Sequence, residues 1–166
     1  MRILGIDPGY AIVGFGVIDY DGNRFSLVDM GQMSTKPDTP FERRLLAIYN
    51  DTSELLQKHK PDVVSIEKLF FNNNQKTAID VAQARGVTLL PIIQAGIPFY
   101  EYTPLQVKSS ITGYGRAPKQ QVQELVRTIL HLKEVPKPDD TADAVAMAIT
   151  HAYSINTRRI YERIGE

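Results

Sequence analysis

The first third of the chain predicts three consecutive strands, and this opening limits the fold more than any other feature. The first strand covers residues 3–7 and ends at an Asp-Pro-Gly turn sequence. The second covers residues 12–20 and contains Gly14 and Gly16, which favour a bulge or the close approach of another backbone. A tight Asp-Gly-Asn turn then leads into a third strand at residues 24–33. Short turns between consecutive strands predict an antiparallel meander.

A helix with clear start signals follows the meander. Thr39 is predicted to cap it, Pro40 suits the first helical position and Glu42 completes a capping box. Apolar residues then recur at helical spacing until Pro61 ends the pattern.

The rest of the chain predicts two more strands and four more helices. Pro91 should kink or end the second helix, because it removes a backbone donor. The order βββαβαβααα predicts an α/β fold with a five-stranded mixed sheet, three antiparallel strands and then two parallel ones, flanked by helices. We expect residues 1–156 to form a single domain, followed by a charged tail at 157–166. The predicted strands are 62–66 and 98–103, and the predicted helices are 77–93, 104–111, 119–132 and 140–154.

Residue usage excludes several classes of protein. The chain of 166 residues contains no cysteine, which excludes a disulfide framework, a thiolate nucleophile and a cysteine-based zinc site. Its three histidines are isolated and do not form a metal-ligand pattern. No secretory signal is visible, and the most apolar stretch is too interrupted to span a bilayer. The sequence therefore predicts a cytoplasmic protein without a membrane partner.

The formal net charge is zero, from 19 basic and 19 acidic residues, so a globally basic nucleic-acid binder is excluded. The charges are nevertheless segregated along the chain. Residues 1–67 hold seven basic and ten acidic residues, whereas residues 68–137 hold nine basic and four acidic ones. Binding to nucleic acid needs a positive face and not a positive total.

Four acids lie at positions that suit a catalytic or metal-binding site: Asp7, Glu67, Asp140 and Asp143. The first two follow short apolar strands, and their side chains meet at one edge of the sheet if the fourth strand pairs with the first. The other two lie one helical turn apart at the start of a helix that is otherwise nearly all apolar. Four convergent carboxylates need a cation to stay ionised, and an all-oxygen ligand set selects Mg²⁺ or Mn²⁺. Taken singly, the same acids could serve as a turn residue, an exposed strand end and helix caps.

An ordered series of motifs runs over essentially the whole chain. The motifs are Gly5-Ile6-Asp7-Pro8-Gly9, Gly14-Phe15-Gly16-Val17, Ile66-Glu67, Phe70-Phe71-Asn72, Gln83-Ala84-Arg85-Gly86-Val87, Gln106-Val107-Lys108 and Asp140-Thr141-Ala142-Asp143-Ala144. In this order they resemble the RuvC family of bacterial Holliday junction resolvases. The resemblance implies a ribonuclease H-like fold and a homodimeric, magnesium-dependent endonuclease, and it matches the family's catalytic acids to the four above.

Candidate DNA contacts follow from residue type and position. Phe70 and Phe71 are adjacent rings just after Glu67, suited to stacking on bases, and the resemblance favours Phe70 as the one that faces DNA. Lys108, Arg116 and Lys119 flank or lie in a glycine-rich loop, and such basic residues commonly meet phosphates. The resemblance matches the two lysines to basic positions that are important in the family.

The leading hypothesis is therefore an enzyme that resolves four-way DNA junctions by paired nicks, with two Mg²⁺ or Mn²⁺ ions per site. Two symmetric nicks require a two-fold dimer. The resemblance also implies partnership with the RuvA–RuvB branch-migration complex. Two alternatives stay open at this point: a junction-binding protein without catalysis, and an ATP-dependent phosphotransferase of the actin or sugar-kinase type. The second alternative shares the opening Gly-Ile-Asp but needs two such domains.

Overall fold

A computed structural model describes the backbone of residues 1–68 and 75–164, and their side chains except at 75–77, 156 and 158–164. Strands and helices follow one another in the predicted order. They are β1 (Arg2–Asp7), β2 (Ile12–Tyr20), β3 (Phe25–Ser34), α1 (Phe41–His59), β4 (Val63–Glu67), α2 (Gln75–Gln94), β5 (Phe99–Tyr102), α3 (Pro104–Thr112), α4 (Lys119–Ile129) and α5 (Asp139–Ile164).

The five strands form one mixed sheet in the order β3-β2-β1-β4-β5. The β1–β2 and β2–β3 pairs are antiparallel, and the β1–β4 and β4–β5 pairs are parallel. The predicted meander is confirmed, and the fourth strand pairs with the first, which the sequence had left open. A register shift in β2 lies between Val17 and Ile18.

Helices cover both faces of the sheet, and the alternation of β1 shows how. Leu4 and Ile6 are fully buried in a core that includes residues of α1 and α2. Ile3 lies in a second core on the opposite face, with residues of α4 and α5. Because successive side chains of a strand point to opposite faces, Gly5 and Asp7 lie on the same face as Ile3. The first candidate acid therefore faces the layer that contains α5.

Glycines allow α5 to lie directly against the sheet. A Cβ atom added to Gly5 would stand 1.9 Å from the carbonyl oxygen of Ala144, and one added to Gly14 would stand 2.0 Å from that of Asp140. Gly16 meets α5 in the same way. No other residue type fits at these contacts, so the close approach that the two β2 glycines predict is confirmed.

The predicted cap of α1 is wrong. The helix begins at Phe41 with Pro40 at the N-cap position and has no side-chain cap. Arg44 is buried instead, and its Nε atom donates to the carbonyl oxygen of Thr39 at 3.0 Å. The same guanidinium donates to two further carbonyls of the preceding loop. A buried arginine therefore fixes the approach to this helix, and Glu42 completes no capping box.

One helix ends close to its predicted end and another extends beyond it. Helix α2, predicted at 77–93, ends at Gln94, just before Gly96 with its positive φ of 66°, and Pro91 does not end it. Helix α5 passes the expected end near Ser154 and runs to Ile164, through most of the segment that was predicted to be a tail. In the described ranges, no helix has both the length and the hydrophobicity needed to cross a membrane.

Candidate active site

Two of the four acids stand side by side where β1 and β4 end. Ile6 of β1 is the register partner of Ile66 of β4, and each strand then closes with its acid, Asp7 or Glu67. Both carboxylates are partly buried. The carboxyl edge of parallel strands is where ligands bind in open α/β sheets.

The first turn of α5 brings the other two acids to the same edge. Gly14 is the register partner of Asp7, and the carbonyl of Asp140 lies where Gly14 has no side chain. Farther along α5, the buried Ser65 hydroxyl of β4 donates to the carbonyl oxygen of Met147 at 2.8 Å. These contacts fix the helix on β2 and β4, so Asp140 and Asp143 face the strand-end acids.

Electrostatics confirm that the acids are close to one another. Burial, followed by the charge of Glu67 and a hydrogen bond with it, raises the pKa of Asp7 to about 8, and Asp143 and Asp140 add to the effect. Burial is also the largest cause that raises the pKa of Glu67 and of Asp143, although Lys119 opposes it in both cases. Such mutual repulsion in a half-buried site is typical of acids that share a cation.

The donor set fits a hard divalent cation, since it consists of carboxylate oxygens and contains neither sulfur nor imidazole. Within residues 1–68 and 75–164, however, no three acidic or imidazole side chains converge closely enough to enclose an ion. Asp7 is hydrogen-bonded to Glu67, and the ammonium of Lys119 lies 2.8 Å from Oδ2 of Asp143. Binding of a cation would have to open both contacts.

Lys119 lies at the start of α4 and contacts two acids of α5. Besides Asp143, its ammonium lies 3.2 Å from Oδ2 of Asp139. The amide of Gln123, one turn along α4, donates to Oδ1 of Asp139 at 3.0 Å. From the sequence, Asp139 is predicted only as a helix-start residue, and Gln123 is not predicted to act at the site. The one sequence signal for this contact is the four-residue spacing of Lys119 with Gln123 and of Asp139 with Asp143.

A pocket of about 160 Å³ opens beside the acids, between α3, α4 and α5. Its polar lining includes both predicted lysines, which the structure therefore brings to the acids. A capping box between Thr103 and Gln106 fixes the start of α3, the helix that carries Lys108. The pocket is lined by Glu67, Pro104, Val107, Lys108, Lys119, Val122, Asp143 and Met147.

Arg116, another predicted DNA contact, does not line the pocket. Arg116 is exposed in the loop between α3 and α4, and it makes no hydrogen bond or ion pair to any side chain that the structure describes. Phe70 and Phe71 lie outside the described residues. A supporting residue that the sequence analysis missed is Arg85 of α2. It forms an ion pair with Glu101 of β5 and donates to the carbonyl oxygen of Glu67 at 3.3 Å.

The sequence of the chain matches a known protein family. The sequence model of the family described as "Crossover junction endodeoxyribonuclease RuvC" matches residues 3–151. The chain belongs to the RuvC family. This match favours the nuclease hypothesis over the phosphotransferase alternative.

Curated RuvC relatives resemble the chain along nearly its whole length. The "Crossover junction endodeoxyribonuclease RuvC" of Pelotomaculum thermopropionicum is 52% identical over 159 residues, which cover 96% of this chain and 97% of that protein. The RuvC of Desulfitobacterium hafniense is 55% identical over 156 residues, which cover 94% of each chain.

Solved structures agree on the fold. Thermus thermophilus RuvC, solved in complex with a Holliday junction substrate, has a TM-score of 0.90 and 37% identity, covering 95% of this chain and 96% of that one. The yeast mitochondrial Holliday junction resolvase has a TM-score of 0.66 at 15% identity, covering 95% and 82%, and shares the fold alone. The fold of this RuvC-family chain is thus ribonuclease H-like.

Proposed function

We propose that this chain is a divalent-metal-dependent endonuclease that resolves four-way DNA junctions by paired, symmetric nicks in recombination and repair. The observation that carries the proposal is the meeting of Asp7, Glu67, Asp140 and Asp143 at one edge of the sheet, where burial and the charges of the other three acids raise the pKa of Asp7 to about 8. A protein that only binds DNA gains nothing from carboxylates that face phosphates. A cation turns the same cluster into a phosphodiester hydrolysis site.

In this proposal all four acids are both metal ligands and catalytic residues, and they hold two Mg²⁺ ions, for which Mn²⁺ can substitute. When bound, such ions activate water and neutralise the charge that develops on the leaving oxygen, which gives a 5′-phosphate and a 3′-hydroxyl. Lys119 borders the pocket and supplies positive charge to the phosphate as negative charge develops on it. Lys108 lines the same pocket and binds the DNA backbone.

We propose three further DNA contacts. Arg116 is exposed on the α3–α4 loop, where it can reach a phosphate. Phe70 and Phe71 follow the strand that ends at Glu67, and we assign to Phe70 the ring that stacks on or wedges between bases. Phe71 is the second candidate for the same role.

A homodimer completes the proposal, because two symmetric nicks need two sites related by a two-fold axis. Its support is an apolar stripe on α2, defined by Ile79, Gly86, Leu90 and Ile93. These residues recur at intervals of seven, four and three, so they lie on one side of the helix. The side chains of Ile79, Leu90 and Ile93 are 66%, 48% and 59% exposed. Gly86 leaves open space at the centre of the stripe, where a second helix can approach.

We extend the proposal to the cell by family membership. A RuvC-family nuclease of this kind acts in the bacterial cytoplasm on junctions that the RuvA–RuvB complex moves along DNA. This part of the proposal rests on the family and not on any contact in the described residues.

The test is cleavage of a synthetic four-way junction by Asp7→Asn, with Asp38→Asn as the matched control on an exposed loop. Asparagine keeps the shape of the side chain but loses the charge that holds a cation. We expect junction binding to persist while Mg²⁺-dependent cleavage falls by at least about 10³-fold, a loss typical of removing a group that acts on the transition state. Asp38→Asn should cleave normally.

Two outcomes would contradict the proposal. Near-normal cleavage by Asp7→Asn at moderate Mg²⁺ would remove Asp7 from the metal site. A wild-type chain that binds the junction but does not cleave it with Mg²⁺ or Mn²⁺ would favour the alternative of a junction-binding protein without catalysis.

A further inference from the structure

Helices α4 and α5 are joined by an interleaved set of four side chains beside the acids. Lys119 and Gln123 lie one turn apart on α4, and Asp139 and Asp143 lie one turn apart on α5. The Lys119 ammonium contacts Oδ2 of Asp143 at 2.8 Å and Oδ2 of Asp139 at 3.2 Å. Gln123 donates to Oδ1 of Asp139 at 3.0 Å. Each oxygen of Asp139 thus has its own partner, although Asp139 is not one of the four proposed metal ligands.

We propose that Asp139, held in place by Gln123, is a positioning residue that keeps the Lys119 ammonium at the rim of the site when a cation takes Asp143. The inference rests on the proposed function, because it assigns a role in loading and using the same metal site.

The first argument is competition for Asp143. A divalent cation and the Lys119 ammonium compete for Oδ2 of Asp143, because the two positive charges favour the same oxygen and repel each other. Asp139 lies within ion-pair distance already, so the ammonium keeps a carboxylate partner when it leaves Asp143. Without Asp139, the Lys119 ammonium either stays on Asp143 and competes with the cation, or moves into solvent.

The second argument is the state of Asp139 itself. Its side chain is 69% exposed, and an exposed carboxylate on a helix end ordinarily moves among rotamers. The hydrogen bond from Gln123 restricts that motion and turns one carboxylate oxygen toward Lys119. Lys119 is in turn 46% exposed, so Asp139 limits a side chain that could otherwise leave the pocket. Asp139 therefore provides a second carboxylate, fixed in position, with which the Lys119 ammonium forms an ion pair.

A purely structural role is the competing explanation. If Asp139 only ties α4 to α5 through Lys119 and Gln123, its loss lowers the melting temperature but leaves cation affinity unchanged, with or without Lys119. A general effect of its negative charge weakens cation binding by the same factor with and without Lys119. Only the positioning role makes the effect of Asp139 depend on the lysine, so a double-mutant cycle separates the explanations.

The experiment measures Mn²⁺ affinity by calorimetry on the full-length chain without DNA, after chelation. The four proteins are wild type, Asp139→Asn, Lys119→Met and the double variant, each checked by a thermal melt in chelator. We expect Asp139→Asn to weaken Mn²⁺ binding at least threefold more in the presence of Lys119 than in the Lys119→Met background. An exposed ion pair of this kind corresponds to a factor of up to about five. Equal factors in the two backgrounds would overturn the proposal.

A charge-neutral variant removes the remaining electrostatic explanation. Gln123→Met deletes the hydrogen bond to Asp139 without changing any charge, and Gln120→Met is its control on the exposed side of α4. We expect Gln123→Met to weaken Mn²⁺ binding about twofold only when Lys119 is present, and Gln120→Met to have no effect. Unchanged affinity in Gln123→Met would remove Gln123 from the mechanism. A wild-type chain that binds no Mn²⁺ would refute the metal site itself, an outcome distinct from equal factors in the cycle.

Discussion

Helices α5 and α2 are the two longest in the described structure, and they use their apolar residues in opposite ways. The small residues of α5, such as Ala144 and Ala148, press onto glycines of the sheet until backbone meets backbone. Helix α2 packs on α1 but leaves Leu90 and Ile93 about half exposed or more. Apolar content alone therefore does not say what a helix packs against. The glycines opposite α5 identify a partner within the chain, whereas the exposed stripe of α2 points to a partner outside it.

The largest expected effect comes from breaking the α5 contact with Gly14→Ala. The added Cβ would stand 2.0 Å from the carbonyl oxygen of Asp140, so helix or strand must move. We expect a loss of about 3 kcal/mol or more in the free energy of unfolding, at the upper end for overpacked cores, together with loss of cleavage. Urea denaturation measures the change in the free energy of unfolding. A change below about 0.5 kcal/mol would show that α5 tolerates displacement from the sheet.

The next test disrupts the α2 stripe with Ile93→Glu. If two copies pair through this stripe, the substitution places two charges in one interface, because symmetry doubles every change. We expect the dimer dissociation constant to rise at least about 100-fold, with the subunit still folded. Sedimentation at several concentrations measures the change. Val28→Glu, at an exposed apolar position of β3, is the control. An unchanged dimer in Ile93→Glu would place the interface elsewhere.

The two helices also differ in charge at their first turns, and this difference makes stability near α5 depend on pH. Helix α5 begins with Asp139 and Asp140, whereas α2 has no acid in its first turn. In the metal-free protein the pKa of Asp7, beside α5, is raised to about 8 from an ordinary value of 3.8. A folded-state pKa above the unfolded one means that the folded state retains a proton that the unfolded state releases. Stability therefore falls as the pH rises from about 4 to about 8.

Asp7→Asn has no proton to lose at that position, so its stability should not fall with pH from this cause. We expect it to match the wild type near pH 4 and to exceed it by roughly 2 kcal/mol at pH 8, both in chelator. Denaturant titrations at each pH give the comparison. Parallel curves for the two proteins would mean that Asp7 keeps an ordinary pKa.

The smallest effect is expected at Gly86, in the middle of α2. A Cβ added there meets nothing within 4 Å in the chain, in contrast to Gly14. In the Ile93→Glu background, where the subunit is alone, Gly86→Ala should therefore stabilise the fold by up to about 1 kcal/mol through helix propensity. A thermal melt is sufficient to measure it. A lower melting temperature would show that this side of α2 is packed within the subunit.

The order of the strands along the chain and the antiparallel pairing of the first three could be predicted, because each strand is a short apolar run bounded by a turn. The pairing of β4 with β1 could not, because it joins strands that are distant in sequence. The positions of Asp7 and Glu67 followed from the same pattern, since each acid comes directly after a buried run. The start of α1 could not be predicted. It depends on Arg44, whose guanidinium reaches back to loop carbonyls, and sequence spacing does not reveal which arginine will be buried.

The contacts of Lys119 illustrate a second limit. The sequence places Lys119 beside a loop and Asp139 at a helix start, but each position has an ordinary explanation as a surface charge or a cap. Only the packing of α4 on α5 brings the two together, and that packing depends on residues distributed over both helices. The predicted end of α2 differs from the observed one by a single residue. The predicted end of α5 was wrong, since the helix continues through the charged residues that were assigned to a tail.

The acids of the site come from two strands in the first half of the chain and from its last helix, and this has a consequence for synthesis. A ribosome completes β1, β2 and β4 long before it reaches Asp140, so the glycine-lined face of the sheet stays uncovered until α5 is made. Contacts of such large sequence separation form late in folding. The nascent protein therefore holds only half of its acids in place, and it cannot act on nucleic acid before its last helix has docked.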